Sequence, residues 1–100
     1  MGISEKFSLS GKVCLVTGAS YGIGYAIASG FADMGAKIVF NDIKPELVEK
    51  GLAAYQADGI DAKGYVCDVT DEKQVQEMVK KIEEEVGVID VLVNNAGIIK

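Results

Sequence analysis

Along this chain, short continuous hydrophobic runs alternate with segments in which hydrophobic residues recur at helical spacing. Val13–Thr17 is an apolar run that ends directly before a glycine, as is typical of a strand buried on both faces. Further short runs at 37–41, 62–66 and 89–93 predict three more strands. The pattern therefore predicts four strands of similar length.

Between these runs, apolar residues recur every three or four positions, which predicts three amphipathic helices. The second helix begins at Pro45, a residue that suits the first helical turn, and closes at Gly59. The third carries an apolar stripe over 75–86. We expect Thr70 to be its N-cap, with Asp71 in its first turn.

The predicted element order is strand and helix in strict alternation, beginning and ending with a strand. This order is typical of parallel strands joined by right-handed crossovers. We therefore predict the α/β class, with a Rossmann-type three-layer sandwich, a sheet of order 3-2-1-4 and helices on both faces. The length of 100 residues allows a single domain, 1–100.

Composition and charge exclude several classes of function. A net charge of −5 without a Lys/Arg cluster argues against a nucleic-acid partner. No apolar run approaches the length of a membrane span, and the first residues lack the apolar core of a signal peptide. We therefore expect a cytoplasmic protein without a membrane partner.

The two cysteines, Cys14 and Cys67, are expected to be small core residues. In the predicted strand order they lie two strand spacings apart, about 9.5 Å, which exceeds the roughly 7 Å that a disulfide tolerates. Two cysteines without any histidine also make a zinc site improbable, so we predict no metal site.

A glycine cluster, T-G-A-S-Y-G-I-G at 17–24, joins the first strand to the first helix. Gly18 would permit a tight turn, Gly22 would let the backbone approach a diphosphate, and Gly24 would let the helix pack closely. Ser20 could add a hydroxyl donor. The spacing is neither the general G-x-G-x-x-G nor a P-loop, so a plain strand–helix turn remains the alternative.

Asp42 closes the second predicted strand, where a carboxylate can accept hydrogen bonds from both hydroxyls of an adenosine ribose. The same carboxylate would repel a 2′-phosphate, and Tyr21 offers that phosphate no positive charge. Both details favour NAD over NADP, although Lys44 is a nearby cation. The alternative for Asp42 alone is a solvated loop acid.

Polar residues also follow the third and fourth strands. Asp68 could accept a hydrogen bond from an adenine amino group, with the Val69 backbone against the ring. The segment N-N-A-G at 94–97 combines two amides with small residues that leave room for a ligand. An acid preceding a helix and a polar turn are the respective alternatives. All these features fall at the carboxyl edge of the sheet, where open α/β sheets bind ligands.

Taken together, these motifs resemble the short-chain dehydrogenase/reductase family. The resemblance rests on T-G-x-x-x-G-x-G at 17–24, the Asp68–Val69 pair and N-N-A-G at 94–97, supported by similar segments at 9–13 and 89–93. It spans Phe7 to Lys100. The N-terminal leader and N-N-A-G-I-I-K are further similar to the gluconate 5-dehydrogenase and 2-deoxygluconate 3-dehydrogenase branch of that family.

The resemblance implies a cofactor site and its residues. Those implied for the diphosphate and the adjoining ribose are Gly18, Ser20, Tyr21, Gly22, Ile23 and Gly24. Those implied for the rest of the cofactor are Asp42 at the adenosine ribose, Asp68 and Val69 at adenine, and Asn95, Ala96 and Gly97 alongside. Asn94 would brace the sheet.

The resemblance also implies that the family's catalytic serine, tyrosine and lysine follow N-N-A-G. None of the four tyrosines here is followed four positions later by lysine, so we expect a cofactor-binding half, cut after its fourth strand and inactive alone. The whole protein would interconvert a secondary alcohol and a ketone, such as a sugar acid, and form a homo-oligomer, commonly a tetramer.

The apolar edge at 91–93 leads us to expect a marginally stable or self-associating isolated chain.

Two other functions remain open at this point. A non-catalytic module could hold a dinucleotide or a partner without turnover. A methyltransferase could also use a glycine-rich first turn and an acid after the second strand, to bind S-adenosylmethionine. The N-N-A-G segment and the wide first glycine gap speak against the methyltransferase.

Overall fold

The computed structural model describes residues 8–96, which form seven alternating elements. In chain order they are β1 (Val13–Thr17), α1 (Gly22–Asp33), β2 (Lys37–Asp42), α2 (Pro45–Ala57), β3 (Ala62–Val66), α3 (Glu72–Glu85) and β4 (Ile89–Val93). The strands form one parallel sheet of order β3-β2-β1-β4. The predicted class, strand order and element sequence are confirmed.

Two hydrophobic clusters cover the two faces of the sheet. One packs α1 and α2 against residues such as Val16 and Phe40, and the other packs α3 against Leu15 and Val39. Neighbouring residues of β1 and β2 thus enter opposite clusters. This is why the central strands are continuously apolar in sequence rather than alternating.

The N-terminus of α3 differs from the prediction by one residue. Asp71, not Thr70, is the N-cap, and its carboxylate accepts hydrogen bonds from the N–H groups of Lys73 at 3.0 Å and Gln74 at 3.3 Å. Thr70 instead donates its hydroxyl to Asp68 Oδ1 at 2.6 Å. The expectation for Thr70 was wrong because the preceding acid engages its side chain, and the helix begins one residue later.

We predict that Asp71→Ala lowers the free energy of unfolding by about 1 kcal/mol, because two N–H groups at the start of α3 lose their acceptor. Thr70→Ala removes a hydroxyl from the neighbouring residue and is the matched control. Urea unfolding of both variants measures the difference. Equal midpoints for the two variants would contradict the assignment of the cap to Asp71.

The two cysteines are free and buried, with 0% of Cys14 and 2% of Cys67 exposed. Burial raises the pKa of both thiols, and the nearby carboxylates of Asp90 for Cys14 and Asp68 for Cys67 raise the pKa further. The two residues belong to opposite hydrophobic clusters. Both therefore serve as small core residues, as predicted.

Among residues 8–96, no helix is both long and apolar enough to cross a membrane. Within the same residues, β4 forms one end of the sheet and pairs with β1. Self-association through this edge remains a prediction.

Candidate functional site

A cleft of about 610 Å³ lies at the carboxyl ends of the strands. Residues predicted from the sequence that line it are Gly18, Tyr21, Gly22, Ile23, Asp42, Asp68, Val69, Asn95 and Ala96. It is also lined by Asn41, Ile43, Cys67 and Thr70. The fold thus gathers residues from four separate segments of the chain at one edge of the sheet, as expected for this topology.

The turn between β1 and α1 contributes Gly18, Tyr21 and Gly22 to the lining of the cleft. Gly18 and Gly22 have φ values of +63° and +67°, a left-handed conformation that favours glycine. A Cβ on Gly22 would meet nothing within 4 Å, so this backbone faces open space. The glycines therefore satisfy both the turn geometry and the need for an unobstructed approach.

The N-terminus of α1 begins at this turn without a side-chain cap. Its N-cap residue Tyr21 makes no capping hydrogen bond, and the first turn of α1 carries no acidic residue. The first N–H groups of a helix lack intrahelical acceptors and attract anions. An uncapped, acid-free helix start beside an open glycine is suited to a phosphate group.

Gly24 contributes to packing rather than to the cleft lining. A Cβ on this residue would lie 2.6 Å from Asn95 Nδ2 and 2.8 Å from the Gly18 carbonyl oxygen. The first turn of α1 therefore packs directly on the glycine turn and on the segment after β4. This close approach is the role that the sequence predicted for Gly24.

Ser20 does not line the cleft. The residue is 4% exposed, and its buried Oγ has no hydrogen-bond partner among the described residues. Its Cα lies close to α2, only 2.9 Å from where a Cβ on Gly51 would be. The contact between the Ser20 hydroxyl and a ligand stays a prediction.

Asp42, the last residue of β2, borders the cleft beside two exposed apolar side chains. One carboxylate oxygen accepts a hydrogen bond from the Ile43 N–H at 3.0 Å. Ile43 is 55% exposed and Tyr21 67% exposed, and both line the cleft. The Ile43 N–H thus holds the Asp42 carboxylate beside exposed apolar side chains. A carboxylate in this position can accept hydrogen bonds from the hydroxyls of a sugar, while the apolar side chains pack against an apolar ring attached to that sugar.

Asp68 lines the cleft and accepts two hydrogen bonds from Thr70. Its Oδ1 accepts the Thr70 hydroxyl at 2.6 Å and the Thr70 N–H at 2.9 Å. These two bonds lower the pKa of Asp68 below its usual value. The Asp68 N–H donates to Gln74 Oε1 at 2.9 Å, which ties this part of the cleft lining to α3.

The segment after β4 is joined to β1 through hydrogen bonds. The Thr17 hydroxyl donates to Asn94 Oδ1 at 3.2 Å and accepts the Ala96 N–H at 3.0 Å. Asn95 is 8% exposed and donates its Nδ2 to the Gly18 carbonyl at 3.2 Å. Asn94 and Thr17 thus brace adjacent strand ends, and Asn95 supports the glycine turn. The predicted site residue Gly97 lies outside the described residues.

Sequence reasoning missed Asn41, which is 1% exposed and lies between the glycine turn and the end of β3. Its side chain hydrogen-bonds the backbone of Gly18 and of Cys67. The available signal was a polar residue at the end of an otherwise apolar buried strand, because a buried amide needs partners.

The sheet order and the cleft at its carboxyl edge define an α/β protein of the Rossmann type. More narrowly, the chain belongs to the short chain dehydrogenase family, whose model matches residues 12–100. Members of this family are oxidoreductases that use NAD or NADP. The family predicted from the sequence motifs is therefore confirmed, and the match to this family excludes the methyltransferase alternative.

Several of the similar relatives are dehydrogenases or reductases of sugar acids. The chain is 47% identical over 97 residues to 2-dehydro-3-deoxy-D-gluconate 5-dehydrogenase of Formosa agariphila, covering 96% of this chain and 37% of that protein. It is 46% identical over 94 residues to gluconate 5-dehydrogenase of Gluconobacter oxydans, covering 94% and 37%. The chain thus spans a little over a third of the curated relatives it matches.

A solved structure, 2-keto-3-deoxy-D-gluconate dehydrogenase from Streptococcus agalactiae, is similar in both fold and sequence. It superposes with a TM-score of 0.90 at 70% sequence identity, covering 94% of this chain and 35% of that one. The resemblance to the gluconate branch is confirmed by these matches.

Proposed function

We propose that the cleft binds the adenosine diphosphate portion of a nicotinamide dinucleotide. The observation that carries this proposal is the uncapped start of α1 beside Gly22, where an added Cβ would meet only open space. The diphosphate would accept hydrogen bonds from the first N–H groups of α1. Asp42 would hold the adenosine ribose, and Asp68 with Val69 would hold adenine.

The preferred cofactor in this proposal is NAD. The Asp42 carboxylate lies in the cleft, where it suits a free ribose 2′-hydroxyl and repels a 2′-phosphate. Tyr21 and Ile43, both exposed at the same rim, carry no charge that could receive the phosphate. Lys44 is the adjacent cation in sequence and is the residue through which NADP could compete.

For the whole protein, we propose the interconversion of a secondary alcohol and a ketone on a sugar acid. The support is that three similar proteins described above are dehydrogenases of gluconate or of keto-deoxygluconate. A bound nicotinamide cofactor exchanges hydride with the carbinol or keto carbon. The serine, tyrosine and lysine that the family uses for proton transfer would follow residue 96, and a homo-oligomer is the proposed assembly.

The test is an assay of the whole protein for nicotinamide reduction with 2-keto-3-deoxygluconate, gluconate and a simple secondary alcohol, each with NAD and with NADP. We expect turnover with a sugar acid and NAD, and none with the simple alcohol at equal concentration. Turnover of the simple alcohol alone would contradict the substrate class. Saturable NADH binding without turnover of any alcohol or ketone would favour the non-catalytic module.

A further inference from the structure

The side chain of Asn41 joins two strand ends that are not neighbours in the sheet. Its Oδ1 accepts the Gly18 N–H at 3.2 Å, and its Nδ2 donates to the Cys67 carbonyl at 2.9 Å. Gly18 follows β1 and Cys67 follows β3, while Asn41 belongs to β2 between them. One buried amide thus spans the carboxyl ends of three strands.

The orientation of this amide is fixed by its partners. An N–H group needs an acceptor and a carbonyl needs a donor, so rotation of the Asn41 amide by half a turn would break both bonds. Each partner is a backbone group at a place where the regular ladder ends. The pairing of β1 with β2 stops at Thr17 and Asn41, and the chain then leaves the sheet at Gly18. Two further main-chain hydrogen bonds join these segments, from the Ala19 N–H to the Asn41 carbonyl at 3.3 Å and from the Cys67 N–H to the Asp42 carbonyl at 2.9 Å, and the Asn41 side chain adds its two bonds to them.

The two backbone groups held by Asn41 belong to different parts of the proposed cofactor site. Gly18 opens the glycine turn (residues 18–22), which would hold the diphosphate. Cys67 immediately precedes the adenine wall, defined here as Asp68 and Val69. The distance between these two parts determines whether one dinucleotide can occupy both at once.

We propose that Asn41 is a positioning residue that sets the separation between the glycine turn and the adenine wall. The inference rests on the proposed dinucleotide function of the cleft. It assigns Asn41 no role in recognising either half of the ligand. When two half-sites are held at the correct spacing, a ligand that spans both gains affinity beyond that of its parts. Loss of the spacing removes that gain and leaves each half-site able to bind.

The experiment compares adenosine with ADP as probes in the full chain, using calorimetry. In the proposed site, adenosine contacts the adenine wall and Asp42, whereas the diphosphate of ADP also contacts the glycine turn. The ratio of their dissociation constants measures the gain from the attached diphosphate. Asn41→Leu removes both hydrogen bonds at similar side-chain volume. Val48→Ala is the matched control, since Val48 is buried in the cluster that includes Phe40 of β2 but does not line the cleft.

We expect Asn41→Leu to weaken ADP about tenfold more than it weakens adenosine, because the spacing of the half-sites is lost. Val48→Ala should lower the thermal midpoint and leave the ratio as in the wild type. If Asn41→Leu does not fold, Asn41→Ser replaces it with the same expectation, since a hydroxyl cannot span both partners.

One result would overturn the inference while leaving the proposed function intact. It is a ratio of the two dissociation constants that the Asn41 variants leave as in the wild type, whether both probes are weakened equally or neither is weakened. A wild-type protein that binds neither probe would overturn the proposed function and this inference together.

Discussion

Gly22→Ala is expected to weaken NADH binding by about a hundredfold while the protein stays folded, because a displaced diphosphate loses hydrogen bonds to the helix N–H groups, and such a bond to a charged group is worth about 1.5–3 kcal/mol. Gly22 lines the cleft with φ at +67° and has nothing within 4 Å of an added Cβ. The new methyl group would therefore stand in the space proposed for the diphosphate. It would also strain the backbone that presents the first N–H groups of α1.

The effect of backbone strain on NADH binding must be separated from the steric effect of the new methyl group, and a second glycine of the chain serves as the matched control. Gly59 also has a positive φ, +74°, and an added Cβ there would likewise meet nothing within 4 Å. It lies beyond the C-terminal end of α2, outside the cleft. Gly59→Ala should therefore cost a similar 1–2 kcal/mol of stability, roughly the left-handed penalty of a side chain, without changing NADH affinity.

Fluorescence titration of NADH with both variants, together with thermal unfolding, measures the two effects. Equal NADH affinity for Gly22→Ala and Gly59→Ala would place the diphosphate elsewhere and contradict the assigned role of the glycine turn.

Asp42→Ala is expected to shift the cofactor preference from NAD towards NADP. Removal of the carboxylate deletes its hydrogen bonds to the ribose hydroxyls, and because even one such bond to a charged acceptor is worth about 1.5–3 kcal/mol, NADH should bind at least roughly tenfold more weakly. The same change relieves repulsion of a 2′-phosphate, which at 4 Å amounts to about 4 kcal/mol per charge pair near a protein surface. NADPH affinity should therefore rise.

The control for net charge is Asp61→Ala, because Asp61 is exposed and lies outside the cleft. Dissociation constants of NADH and NADPH for both variants provide the comparison. If NADPH already binds the wild type more tightly than NADH, the proposed NAD preference is wrong. If Asp61→Ala changes the preference as much as Asp42→Ala, overall charge rather than a local contact is responsible.

The fold could be predicted from the sequence because its signals are local and repeated. Val13–Thr17 is apolar throughout since helices cover both faces of β1, and this pattern is visible without knowledge of the partners. The start of α3 was placed one residue early because Thr70 and Asp71 are both good caps. The choice depends on the hydrogen bonds between Thr70 and Asp68, which sequence spacing does not reveal.

The candidate site was predictable where it depends on backbone shape. Gly18 and Gly22 have the positive φ values that their spacing indicated, and Gly24 packs where a side chain would not fit. The positions and partners of side chains were harder to predict from the sequence. Ser20 does not line the cleft, and the hydrogen bonds of Asn41 depend on β2 lying between β1 and β3. Such contacts follow from the assembled sheet rather than from neighbouring residues.

The central claim is that the carboxyl edge of this sheet binds a dinucleotide with its diphosphate at the N-terminus of α1. An amide NMR spectrum of the isotope-labelled protein, titrated with NADH, tests this directly. The account predicts saturable shifts at Gly18 and Gly22 of the glycine turn, at Ile23 in the first turn of α1, and at Asp68 and Val69 of the adenine wall, while Gly59 stays unchanged. Absence of saturable shifts at these amides, or shifts centred on residues outside the cleft, would contradict it.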